Sequence, residues 1–272
     1  MSVAVQQRRA VPPETYFVGS AVFHYLGPAF AVLLFARVPV LGVAWLRILT
    51  AAVVFALWRR GGIRPLLGNR VVLVWAVVLA AMNCCFYTAI DRLPLATVAA
   101  IEFLPVIALA ALGAHTPRNI GALALAVPGV YVLTGVHLAG EATGMAFAFA
   151  NALLFAAYIV CADRGAKQGL GIDGLAAAMV LAALFVTPIG ATPVDAIGIL
   201  AGIGVGISSS VIPYVCDQLA LARLPRATYS LMVALLPATA TVIGLVVLAQ
   251  VPTLSDLLGI GLVVAGVALH RP

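Results

Sequence analysis

Runs of about twenty apolar residues, each long enough at roughly 1.5 Å per residue to cross the ~30 Å of hydrocarbon in a bilayer, follow one another along nearly the whole chain. Cut at charged residues and at proline or glycine breaks, they predict ten spans: Tyr16 to Ala36, Val40 to Trp58, Val71 to Ile90, Leu95 to Gly113, Ile120 to His137, Gly144 to Ala162, Leu175 to Ala191, Ile197 to Leu219, Ala227 to Ala249 and Leu257 to His270. Composition agrees, since 64% of the residues are hydrophobic and only 9% are charged, whereas a soluble surface needs roughly 25 to 35% charged residues. The runs are unbroken, without the alternation of barrel strands. The expected fold class is therefore all-α integral membrane. Arg8 and Arg9 precede the first run, but Tyr16 to Phe35 is too long for the apolar region of a secretory signal and has further spans behind it, so it is read as a retained helix.

Lysine and arginine set the orientation. With the N-terminus cytoplasmic, the inner gaps hold Arg8, Arg9, Arg59, Arg60, Arg64, Arg70, Arg118, Arg164, Lys167, Arg223, Arg226 and Arg271, and the outer gaps hold Arg37 and Arg92. Twelve against two is a strong positive-inside bias, and it places both termini in the cytoplasm after an even number of spans. The net charge of +6 thus reports orientation, and no nucleic-acid partner is expected. Cys84, Cys85, Cys161 and Cys216 lie in or beside apolar runs without metal-ligand spacing and read as packing residues.

The two halves echo each other. A span, the corner Asp91-Arg92-Leu93-Pro94 and a span broken at Pro105 are answered by a span, the corner Ala222-Arg223-Leu224-Pro225 and a span broken at Pro237, with Arg-Leu-Pro recurring 131 residues on. Five spans per half would make the copies enter the membrane in opposite senses. Inverted repeats of that kind are a transporter architecture with its binding site near the midplane between them. The expected division is residues 1–138 and 139–272. Gly27-Pro28, Pro105, Pro128-Gly129, Pro213 and Pro237 each free backbone carbonyls or kink a helix inside a span, which is tolerated where protein or water satisfies the freed groups.

Few ionisable residues fall inside spans: His24, Arg47, Glu102 and, toward the inner end of the eighth, Asp217. Burying such a group costs at least ~2.5 kcal/mol at a helix centre, so each is a candidate functional residue. Arg47 and Glu102 are the natural pair, and two readings stand side by side. They form a buried ion pair that pins the second and fourth spans, or Glu102 titrates or binds a substrate amine while Arg47 receives a carboxylate. Asn83 and Tyr87, four apart on one helix face, with Asn151, Tyr158, Ser208 to Ser210 and Tyr214, are polar neutrals suited to lining a small wet cavity. His115, His137 and His270 sit at span ends or in a loop.

No Gly-x-x-x-x-Gly-Lys-Ser/Thr loop is present, so ATP hydrolysis is not expected, and no metal, cofactor or catalytic cluster is read from the sequence. A membrane enzyme acting on lipid-linked substrates would need clustered carboxylates or histidines, which the chain lacks. Any energy source is an ion or solute gradient.

Leu46-Arg47, Met82-Asn83 with Phe86-Tyr87, the Leu93-Pro94 corner, Glu102-Phe103 ahead of Pro105, and Pro213-Tyr214, Asp217 and Ala220-Leu221 leading to Arg223-Leu224-Pro225 make the chain resemble the drug/metabolite transporter superfamily. Within it, the likeness is to the EamA-type transporters and their threonine/homoserine exporter branch. The resemblance implies two inverted five-helix repeats around a central cavity in the inner membrane, and export of small amino acids or related metabolites, with a coupling proton or an exchanged solute as co-substrate. A multidrug or other metabolite exporter on the same fold is the alternative. The resemblance places Arg47, Asn83, Tyr87, Glu102, Tyr214 and Asp217 at or near the cavity; together with His24 and Asn151, read from the residues themselves, they are the substrate-binding candidates, with membrane lipid around the outside. Three positions depart from the family pattern: the stretch from Pro94 to Pro105 is one residue short, a common Gly-Glu reads Ala249-Gln250, and an acidic residue before the ninth-span proline reads Leu236.

Overall fold

The computed structural model describes residues 12–113, 116–137, 141–221 and 236–269, and every regular element among them is helical. The longer helices are α1 (Pro13–Leu34), α2 (Val40–Trp58), α3 (Arg70–Ile90), α4 (Leu95–Gly113), α5 (Pro117–His137), α6 (Ala142–Lys167) and α7 (Gly171–Gly190), with two short helical turns, Arg60–Ile63 and Arg64–Leu66, between α2 and α3. Then α8 runs through Ala196–Gly206, a π turn at Ile207–Val211 and Ile212–Leu221, followed by α9 (Leu236–Leu248) and α10 (Leu254–Leu269). Among the described residues six helices, α1, α2, α3, α6, α7 and α8, are long and apolar enough to cross a membrane. The chain is a multi-pass membrane protein.

Polar side chains start several helices. Asn69 accepts the Val71 N–H at 2.8 Å to open α3, and Asp195 accepts the Gly198 N–H at 2.9 Å to open α8. At α10, Thr253 Oγ1 accepts the Asp256 N–H at 3.2 Å while Asp256 Oδ2 accepts the Thr253 N–H at 2.9 Å, a reciprocal capping box. Each such cap contributes about 1 kcal/mol by satisfying amides that hydrocarbon would strand.

Helix ends depart from the sequence expectation where charges flank an apolar run. α6 continues past Ala162 to Lys167 and α7 begins at Gly171, ahead of Leu175. Charges pair at these ends: Lys167 pairs with Asp163 at 2.6 Å one turn back on α6, and Arg59, the residue after α2, donates from Nε to Asp173 of α7 at 2.5 Å. The second Arg-Leu-Pro corner and the start of the expected ninth span lie in 222–235, outside the described residues.

Small residues set the close crossings, as hydrocarbon-embedded helices require. α2 and α7 run antiparallel, with a Cβ on Gly190 colliding with Trp45, and Trp45 Nε1 donating to Thr187 Oγ1 at 2.9 Å. Gly202 and Gly206 let α8 lie against Leu46 and Thr50 of α2. α5 and α10 also cross antiparallel, Gly129 on the Gly259 carbonyl and Gly266 on the Ala122 carbonyl. Large apolar side chains cover the outside, Leu153 at 68%, Leu200 at 69% and Val246 at 74% exposed, which is a lipid-facing surface. Polar groups turn inward instead: Ser20, Arg47, Asn83, Glu102, Asn151, Ser209 and Ser210 are all buried.

Candidate functional site

The π turn in α8 follows from Pro213. A proline has no N–H, so the carbonyl four residues earlier, Ser209, loses its α-helical donor. The chain widens there into i to i+5 bonding, with the Ile212 N–H on the Ile207 carbonyl. Arg47 of α2 takes the freed group: its Nη2 donates to the Ser209 carbonyl at 3.0 Å and its Nε to Ser210 Oγ at 2.9 Å. Nη1 donates to the Tyr87 hydroxyl at 3.5 Å, and the guanidinium carbon stands 5.4 Å from the Tyr87 ring centre. That ring is fixed edge-on between Phe35 and Phe86. Arg47 is 9% exposed, and each of its hydrogen bonds goes to a neutral acceptor.

Glu102 of α4 is 8% exposed and accepts from Asn151 Nδ2 of α6 at 3.2 Å. Arg47 interacts with it electrostatically, but among the described residues the two make no ion pair within 4.0 Å. The structure thus departs from the buried-ion-pair expectation, because the π turn anchors the guanidinium on α8 while Asn151 holds the carboxyl on α6. Tyr25 of α1, 1% exposed, is close enough to Glu102 to interact with its charge. The Tyr25 hydroxyl and Asn151 Oδ1 are buried without a hydrogen-bond partner.

His24 is half-buried, edge-on to Tyr25 with ring centres 5.4 Å apart, and within electrostatic reach of Arg47. Asn83 is buried, but its Nδ2 donates to the Leu79 carbonyl of its own helix at 2.8 Å, so it is not joined to the Arg47 and Glu102 networks. Tyr214 is half-buried and packs on the cluster containing Trp75, Leu79 and Met179. Asp217 lies on α8, and its side chain is outside the described residues. Tyr25 was not singled out from the sequence. The available signal was its place beside His24 in mid-span, where a phenol must either find a partner or remain unsatisfied.

The threonine/homoserine exporter RhtA of Escherichia coli K12 is 32% identical over 204 residues, 71% of this chain and 68% of that protein. The chain belongs to the EamA-like transporter family. The family's own model matches residues 142–270, and the threonine/homoserine exporter RhtA of Salmonella typhimurium LT2 is 31% identical over 204 residues, again 71% of this chain and 68% of that protein. A crystal structure that covers 94% of this chain, and 96% of its own, aligns with a TM-score of 0.61 at 19% identity, a likeness of fold alone. The protein is a transporter and not an enzyme.

At the end of α9, Ala249 adopts φ 53°, a left-handed conformation that costs an L-residue roughly 1 to 2 kcal/mol. Its neighbour Gln250 reaches across the bundle, Oε1 accepting the Leu95 N–H at 3.1 Å and so satisfying an amide at the start of α4.

Proposed function

We propose that this chain is a secondary active exporter of small amino acids of the threonine and homoserine kind across the cytoplasmic membrane. It works as two inverted five-helix repeats, residues 1–138 and 139–272, with both termini cytoplasmic and a proton or an exchanged solute as the coupling partner. One observation carries the reading: Arg47 and Glu102 are both buried, within electrostatic reach of each other, unpaired with one another and held by neutral groups. A buried ion of one sign beside one of the other matches the carboxylate and ammonium of a zwitterion, and it is an expensive arrangement to keep in hydrocarbon for structure alone. A multidrug exporter of hydrophobic cations has no use for the guanidinium.

Helix partners support the repeat. α1 packs on α8 and α9, as α6 packs on α3 and α4, while α2 packs on α7 and α5 on α10. Each of these contacts is its own counterpart or has one when the halves are exchanged. Loop contacts fit the alternation of sides: Arg59 with Asp173 and Arg118 with the Leu269 carbonyl on the expected inner side, and Arg37 with Asp195 and Leu95 with Gln250 on the outer.

A substrate carboxylate arriving at Arg47 competes with the Ser209 carbonyl and Ser210 hydroxyl. Those belong to the second half and Arg47 to the first, so binding loosens a tie between halves that rock against each other. A ligand shifts such an equilibrium only by its differential affinity for the two states, and this competition supplies one. The test is uptake of labelled threonine, homoserine and a wider amino-acid panel by inverted vesicles, with and without a pH gradient. Saturable uptake of one class, lost in Arg47→Ala and in Glu102→Gln, is expected. Unchanged uptake with both substitutions together overturns the assignment.

A further inference from the structure

We propose that Glu102, Asn151 and Tyr25 form a receptor for a primary ammonium group, one that discriminates against N-methylated amines. The inference rests on the amino-acid reading above and deepens it by naming the chemistry at one end of the substrate. Three buried oxygens stand at this end of the site. Glu102 receives a hydrogen bond from Asn151 Nδ2 at 3.2 Å. Asn151 Oδ1 on the same amide has no donor, and the Tyr25 hydroxyl, within electrostatic reach of Glu102, has no hydrogen-bond partner. Asn151 and Tyr25 are 0% and 1% exposed, so water on the lipid or solvent side does not satisfy them.

A buried polar atom without a partner is costly and calls for an explanation in what it binds. These atoms have one requirement in common, a donor. A carboxylate would meet Glu102 unfavourably and a hydroxyl brings a single uncharged donor, whereas a primary ammonium carries three N–H donors for three acceptors. Asn151 is the orienting member: donating through Nδ2, it fixes the Glu102 carboxyl and leaves Oδ1 of the same amide open to a donor. The Tyr25 hydroxyl accepts from the ammonium through oxygen and keeps its own proton free for Glu102. Tyr25 and Glu102 belong to the first half and Asn151 to the second, so this end of the substrate, like the carboxylate end, is held across the two halves.

Each N-methyl group removes one donor and adds bulk where packing is tight. The experiment uses the full-length protein in inverted vesicles and measures competition against labelled L-threonine by L-threonine, N-methyl-L-threonine, N,N-dimethyl-L-threonine and 2,3-dihydroxybutyrate. One lost bond between a charged donor and a buried acceptor weakens binding about tenfold or more. Expected is therefore a loss of that size at the first methyl, a further loss at the second, and competition by the dihydroxy acid weakened at least about tenfold relative to threonine. Tyr25→Phe, which keeps the ring, weakens L-threonine about tenfold while leaving the dimethyl compound nearly unchanged. Asn151→Leu removes the discrimination.

Equal competition by threonine and its N-methyl forms in the unsubstituted protein, with uptake still dependent on Arg47, overturns the receptor and leaves the zwitterion reading standing. Absence of saturable uptake for every amino acid overturns both. The analogue series needs no variant, so a poorly folding Asn151→Leu does not blunt the test.

Discussion

Replacing Arg47 with lysine keeps the charge and removes the fork. In the structure three separate nitrogens reach three groups: Nε to Ser210 Oγ at 2.9 Å, Nη2 to the Ser209 carbonyl at 3.0 Å and Nη1 to the Tyr87 hydroxyl at 3.5 Å. A lysine ammonium occupies one point and cannot span the Ser210 and Tyr87 ends of that set, so at least one charged hydrogen bond is lost, about 1.5 to 3 kcal/mol. A bound carboxylate loses its second parallel bond as well, another increment of about 1.5 kcal/mol or a little over tenfold in affinity. Arg47→Lys is therefore expected to fold, to melt at a lower temperature in detergent by tryptophan fluorescence, and to raise the KM for threonine at least about tenfold. Arg47→Met separates the roles further. It removes the cation together with several kcal/mol of dehydration cost, so the melting temperature stays near that of the unsubstituted protein while transport ends. Wild-type KM and melting temperature in Arg47→Lys would show that fork geometry is immaterial. An Arg47→Met chain that cannot be purified folded, beside a well-behaved Glu102→Gln, would make Arg47 a structural residue.

Three further outcomes follow from local geometry. Asn83→Leu removes an amide that serves only its own helix in hydrogen bonding, through Leu79, so threonine KM is expected to stay within about twofold, in contrast to Asn151→Leu; a tenfold rise would place Asn83 in the site. Ala249→Gly relieves the left-handed strain at φ 53° and is expected to stabilise by about 1 kcal/mol after the extra flexibility of glycine in the unfolded chain is counted; a lower melting temperature refutes that. Pro213→Ala restores an N–H that can take the Ser209 carbonyl from Arg47, so threonine binds an unoccupied fork and KM falls about tenfold at most, the worth of one hydrogen bond. An increased KM there would mean that the Ser209 carbonyl does not compete with substrate.

The interior of the bundle was legible where a single physical rule governs it. α2 and α4 begin where hydropathy expects, because Pro39 and the Leu93-Pro94 corner break the chain where the apolar run also begins. α6 and α7 reach beyond their apolar runs, since hydropathy marks where lipid stops and helix bonding continues into the interface, as at Arg164 and Lys167. Arg47, Tyr87, Glu102 and Asn151 could be picked out as costly groups in hydrocarbon, but which of them touch depends on how helices rotate against each other. The proline at 213 advertised a freed carbonyl, yet nothing in the sequence says that a guanidinium from α2 would take it. Asn83 and Asn151 carry the same amide and the same apolar surroundings in sequence. Only the packing distinguishes an amide folded back on Leu79 from one spanning to Glu102.

Pairing Arg47 directly with Glu102 would be the less costly way to bury two opposite charges, since both sit in the first half of the chain. The fold instead commits polar groups of the second half to each of them: the π turn of α8 to the guanidinium and Asn151 of α6 to the carboxyl. A first-half pair satisfied within its own half would be indifferent to how the halves sit relative to each other. On the proposed reading, both charges change partners or lose them whenever α6 and α8 move against α2 and α4, and a zwitterion bridging the two is stabilising in some arrangements of the halves and not in others. That dependence is what alternating access requires of a binding site, because a solute with equal affinity for every arrangement could not bias which side of the membrane the site opens to.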